Sequence, residues 1–112
     1  MNLIKPAIKV TFINDKIERV FNSLPNNHWL KKAIQKVIKN LNQNAFCGKN
    51  IPKKQIPKEY IKKYQIENLY WHSLPNAWRL SYSLFGSPSG NVLATIVGYS
   101  DHKNYERRFN YQ

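Results

Sequence analysis

The sequence predicts one α+β domain spanning 1–112. An N-terminal strand and a helical hairpin are expected to pack on an antiparallel-rich sheet of about four strands, followed by a short C-terminal helix. Three observations carry this reading. A chain of 112 residues can bury one modest core but not two. Two segments of helical period follow a β-branched segment, and period-two segments fill the second half. Hydrophobic residues at 42% and aromatics at 13% supply enough apolar surface to exclude a disordered chain.

Taken in order, Ile8 to Ile13 is rich in β-branched residues and follows Pro6, which predicts a short strand. Asn14 or Asp15 caps a helix running to about Ser23, with Ile17, Val20, Phe21 and Leu24 at helical spacing. Leu24-Pro25-Asn26-Asn27 ends it. A second helix is expected from His28 to about Asn42. Leu30, Ala33, Ile34, Val37, Ile38 and Leu41 form its apolar stripe, and Lys31, Lys32, Lys36 and Lys39 lie off it. Pro57 starts a short third helix, anchored through Tyr60, Ile61 and Tyr64.

Asn68 to Leu74 reads as a strand that Leu74-Pro75-Asn76-Ala77 turns into the next. There Trp78, Leu80, Tyr82 and Leu84 alternate with Arg79, Ser81 and Ser83. The first set is expected to be buried, with Arg79 projecting from an opposite, polar face. Gly86-Ser87-Pro88-Ser89-Gly90 reverses the chain. Asn91 to Val97 offers apolar residues to both faces, as a central strand does. A short helix is expected over Ser100 to Phe109, capped by Ser100 or Asp101, with His102 and Tyr105 three apart on one face.

Eighteen Lys and Arg stand against six Asp and Glu, a formal charge of +12 that calls for a partner of opposite sign, nucleic acid or an acidic protein. Between Lys31 and Lys63 the chain holds ten lysines and one acid, Glu59. Such a run is either a solvated helix face and loop or a surface that binds phosphates. Its continuation beyond the second helix, through Lys49, Lys53, Lys54, Lys58, Lys62 and Lys63, favours RNA binding. No apolar run approaches the roughly 18 residues that span a membrane, and Met1 to Pro6 lacks the apolar core of a signal peptide. The expectation is a cytoplasmic protein with no membrane partner. Cys47 is the only cysteine, so an internal disulfide and a cysteine-based zinc site are excluded. His28, His72 and His102 are far apart and no carboxylate pair has ligand spacing, so no metal is expected. The four glycines form no phosphate-cradling loop, and no cofactor is implied.

RNA can be cleaved without either. The 2′-hydroxyl attacks the adjacent phosphate once one group removes its proton, another protonates the leaving 5′-oxygen, and cations hold the developing charge. Arg79 suits the last task, since its planar fork binds phosphate bidentately and keeps its charge. His102 suits proton transfer as base or acid. Tyr105 suits a hydrogen bond to phosphate or a stack on a base. Lys53 and Lys54 suit phosphate binding, and Glu59 is either a local ion-pair partner or a general base. Each has a plainer role as well: a surface ion pair for Arg79, an exposed or structural imidazole for His102, a core ring for Tyr105.

Three features in this order, the lysine-rich segment, "WRLSYSL" in a hairpin and "DHKNYERRF" after the last strand, resemble the RelE/ParE superfamily of small toxins from prokaryotic toxin–antitoxin pairs. The resemblance spans roughly the whole chain. It implies a compact α/β domain, silenced by an acidic antitoxin, that inhibits translation as a ribosome-dependent, metal-independent mRNA endoribonuclease. By position Arg79 matches the arginine that contacts the scissile phosphate, and His102 and Tyr105 resemble the histidine and tyrosine after the final strand. In the best-known ribonuclease subgroup those two are adjacent, whereas two residues separate them here. That departure leaves a second reading: a non-catalytic basic binding module of the same fold, such as a gyrase-directed ParE-like toxin or an inactive relative.

Overall fold

A computed structural model describes residues 5–101 and Lys103. Among the described residues the chain is an α+β fold in which three α-helices accompany one mixed five-stranded sheet. In chain order the elements are β1 (Ala7–Phe12), α1 (Asp15–Ser23), α2 (Trp29–Gln43), β2 (Lys49–Asn50), α3 (Lys58–Tyr64), β3 (Tyr70–Ser73), β4 (Trp78–Gly86) and β5 (Val92–Asp101). The strands lie in the order β1-β5-β4-β3-β2. The sheet β2-β3-β4-β5 is antiparallel, and β1 joins β5 in parallel. The strand beyond the expected four is β2, whose two residues have too short a pattern to read. Ser100 and Asp101, expected to cap a C-terminal helix, instead continue β5 past the expected end at Val97, because they pair with Arg79 and Trp78. Apart from Lys103 the rest of that expected helix, with His102 and Tyr105, lies outside the described residues.

The helical hairpin forms as its sequence demands. Asn14 caps α1 by accepting from Ile17 N–H at 3.0 Å, and its amide donates to the Tyr64 hydroxyl at 3.2 Å, tying α1 to the end of α3. His28 lies outside α2 as its cap, with Nδ1 accepting from Leu30 N–H at 3.1 Å. Leu30, Ile34, Val37 and Leu41 are buried against Leu80, Tyr82, Leu84, Ala94 and Ile96, which makes the first face of the sheet the main core. Burying such side chains, at about 1.5–3 kcal/mol each, holds the hairpin down.

The second face differs from the expected polar surface. Ser81 and Ser83 are buried, because α3 and the segments before and after it cover this side with Ile51, Ile56, Tyr60, Ile66 and Leu69, which cluster with Val97 of β5. Burying a hydroxyl is tolerable only when it is bonded. Asn68 makes that possible for Ser83: the hydroxyl donates to Asn68 O at 2.7 Å, and the Asn68 amide clasps the backbone N–H and C=O of Leu84. Ser81 Oγ has Gly98 O at 3.5 Å.

A bulge in β5 decides what faces where. Ser81 lies opposite Gly98 but Tyr82 lies opposite Ile96, so Val97 is an extra residue and the alternation shifts by one beyond it. Tyr99 thereby turns to the hairpin side, where its hydroxyl donates to Ile17 O at 2.7 Å. Ser100 pairs with Arg79. The register of β1 shifts in the same way between Ala7 and Lys9, which leaves Ile8 58% exposed at the sheet's edge. Among the described residues no helix is long and apolar enough to cross a membrane.

Candidate functional site

Among the described residues, α3 covers Ser81 and Ser83 and leaves the second face uncovered at the end where β4 begins. Ser73, Arg79 and Ser100 form one row across β3, β4 and β5 there. Lys49, Trp71 and Ser81 form the next, across β2, β3 and β4. Strand alternation puts these side chains on one face. The Arg79 guanidinium carbon lies 4.1 Å from the centroid of the Trp71 ring, a stacking distance, and Lys49 Nζ lies 5.3 Å from the same centroid. Contacts of this kind contribute about 0.5–2 kcal/mol each. Two cations, an indole and two flanking serine hydroxyls therefore meet at the open end of the sheet.

A cleft of about 260 Å³ continues the patch around the sheet edge, lined by Cys47, Gly48, Lys49, Trp71, His72 and Ser73. The loop on its floor is pinned from inside. The buried Tyr82 hydroxyl accepts from Gly48 N–H at 2.9 Å and donates to Ala45 O at 3.1 Å. Burial pushes the Tyr82 phenol well above its usual pKa. Desolvation also raises the pKa of the neighbouring Cys47 thiol, against a smaller opposing effect of the Tyr82 hydroxyl, so at neutral pH the protonated thiol predominates. The His72 Nδ1 lies 2.8 Å from Ser73 O, which assigns the proton to Nδ1 and leaves Nε2 as an acceptor when the ring is neutral.

The remaining expected site residues divide between places. Lys53 and Lys54 are exposed on a 3₁₀ turn, and Lys58, Lys62 and Lys63 are exposed on α3, all on the sheet's second face. The lysines of α2 lie with the hairpin, across the sheet, so the run that is continuous in sequence is split in space. Lys31 is further committed, donating to Leu24 O at 3.1 Å and lying over the Phe21 ring. Glu59 lines a different cleft, of about 540 Å³, between α1 and α3, with Lys16 and Lys63 at its rim and Val97 to Tyr99 at its back. It is not brought beside the Lys49–Trp71–Arg79 cluster. His102 and Tyr105 lie outside the described residues, so of the expected catalytic set only Arg79 has a described position.

Trp71 is the functional candidate that sequence reasoning missed. It reads as one more aromatic in a strand, and only the pairing of β3 with β2 and β4 reveals that it underlies two cations. Among the described residues no three His, Cys, Asp or Glu side chains are grouped to hold a metal ion. The arrangement can bind a phosphodiester through Arg79 and Lys49 and hydrogen-bond a sugar or phosphate through the serines. Comparison with protein-family models, with curated proteins and with solved structures finds no match for this chain.

Proposed function

We propose that this chain is a RelE-like toxin that engages mRNA at the open end of its sheet and cleaves it on the ribosome. The observation that carries the reading is the Lys49–Trp71–Arg79 cluster on a part of the second face that α3 leaves uncovered. Two further features support it. The charge of +12 suits both an RNA and an acidic, cytoplasmic antitoxin. A strand, a helical hairpin and then a three-stranded antiparallel meander, with the first strand parallel to the last, is in keeping with the small α/β domain that the resemblance implies.

In this reading Arg79 holds the non-bridging oxygens of the scissile phosphate as negative charge builds on them. Lys49 and the lysines of the 3₁₀ turn and α3 bind flanking phosphates. His102 and Tyr105 carry the proton transfers by analogy with the family. A second reading keeps the fold and the RNA but not the chemistry. It is favoured by one specific observation: the described members of the cluster are cations, a ring and hydroxyls, which bind but do not by themselves move protons.

The test is cleavage of mRNA on translating ribosomes. Wild-type protein should cut it, and Arg79→Ala should lower the rate about 10²- to 10³-fold, the scale of losing one preorganised stabiliser of transition-state charge. Arg79→Lys should restore only part, since an ammonium lacks the fork. Wild-type protein that binds RNA with a steep salt dependence but leaves mRNA intact would establish the binding module instead. Protein that binds no RNA would refute both readings.

A further inference from the structure

Resting on the RNA reading above, we infer that Trp71 is the positioning residue for Arg79, an indole surface that orders the guanidinium for contact with an RNA phosphate. An arginine on an open sheet surface carries about 2 kcal/mol of rotamer entropy and has no single direction. Arg79 has a surface to lie on. Trp71 pairs with Ser81, so on the shared face it is the diagonal neighbour of Arg79, a relation within reach of aromatic and long side chains. The 4.1 Å separation from the ring centroid is that of a guanidinium lying on the indole.

The indole itself is held in place. Trp71 is only partly exposed and packs against the buried cluster of Ile51, Ile56, Tyr60, Ile66, Leu69 and Val97. Stacking uses the face of the guanidinium, so a phosphate meets it in its own plane, where the N–H donors lie. Lys49 pairs directly with Trp71 from β2, the strand on the other side of β3 from Arg79, and places its ammonium 5.3 Å from the same centroid, which adds a second cation to the patch. The rival role for Trp71 is stacking on an RNA base, and the two roles predict different behaviour in combination.

The experiment measures the affinity of a fluorescein-labelled, single-stranded 12-nucleotide RNA by anisotropy. It compares wild type with Trp71→Phe, Trp71→Leu, Arg79→Ala and the double variant Trp71→Leu/Arg79→Ala. Arg79→Ala should weaken binding about 10-fold or more, as expected for losing charged hydrogen bonds. Trp71→Leu should weaken it about 3- to 30-fold, the range of a cation–π contact. Trp71→Phe should retain most of the affinity, because a ring face remains. The double variant should bind no worse than Arg79→Ala alone, since the effect of Trp71 passes through Arg79.

Losses that multiply in the double variant would overturn the inference and make Trp71 a base-stacking residue. Equal losses in Trp71→Phe and Trp71→Leu would overturn it in favour of a structural role. An affinity unchanged by Trp71→Leu would overturn it outright. A readout on the protein alone separates this inference from the RNA reading, and applies even if Trp71→Leu folds poorly. In wild type and Trp71→Phe the Arg79 side-chain protons should be shifted upfield by the ring beneath them. Unshifted resonances in wild type would refute the positioning role whatever RNA does. Shifted resonances with no RNA binding would instead refute the RNA reading.

Discussion

Deleting one oxygen tests how the loop that carries Lys49 is fastened to the sheet. Tyr82 is fully buried in β4, and its ring stacks on Tyr70 with centroids 5.5 Å apart and planes 18° from parallel. Its hydroxyl is the only part lost in Tyr82→Phe, so packing is retained. What is lost is one acceptor for Gly48 N–H and one donor to Ala45 O. A buried polar group deprived of its partner costs about 1–3 kcal/mol. The affected segment is a loop at the sheet edge and can relax, so a total of about 2 kcal/mol is expected. In urea unfolding the slope should stay unchanged while the midpoint falls by about 1 M, given slopes of about 1–3 kcal/mol/M for small domains. The Lys49 contact with Trp71 should loosen as well, visible as a changed indole resonance. A midpoint within about 0.2 M of wild type would refute the claim that this hydroxyl fastens the loop.

Two further outcomes follow from the same corner of the molecule. A Cβ added at Gly48 would lie 2.6 Å from the Tyr82 hydroxyl and 2.7 Å from the Trp71 carbonyl oxygen, so Gly48→Ala should destabilise by about 1–3 kcal/mol. Urea unfolding of that variant at wild-type stability would contradict the close approach. Alkaline pH should also act through Tyr82. Burial raises its folded pKa above the unfolded value of 10.0, so its contribution is complete below about pH 10 and is lost as pH rises toward the folded value. Between pH 9 and 11 wild type should therefore lose more stability than Tyr82→Phe, and identical losses would remove the phenol from the account.

Some of this structure was legible from residues alone. The stripe Leu30-Ile34-Val37-Leu41 specifies both the helix and its buried face, and Asn14-Asp15 announces the start of α1, with Asn14 proving to be the cap. The alternation from Trp78 to Leu84 correctly separates the hairpin side of β4 from the other. It says nothing of what covers the other side. Ser81 and Ser83 look solvent-facing because their burial depends on a distant layer, α3, and for Ser83 on Asn68, fifteen residues earlier. The Val97 bulge leaves no mark in composition, yet it decides that Ser100 stands beside Arg79. The lysine run misleads for a similar reason. Proximity along the chain suggests one surface, and the sheet passes between its two halves. Arg79 is legible as a phosphate ligand by its chemistry, whereas Trp71 acquires meaning only from the register of three strands.

The most direct measurement is a map of where RNA touches the protein. In a titration of ¹⁵N-labelled protein with single-stranded RNA, the largest shifts should fall on the amides of Lys49, Trp71, Ser73, Arg79 and Ser100 and on the Trp71 indole N–H. Lys32 and Lys39 on α2, across the sheet, should change little. Shifts concentrated on α2, with the open end of the sheet unmoved, would contradict the account and return the basic run to a helix face.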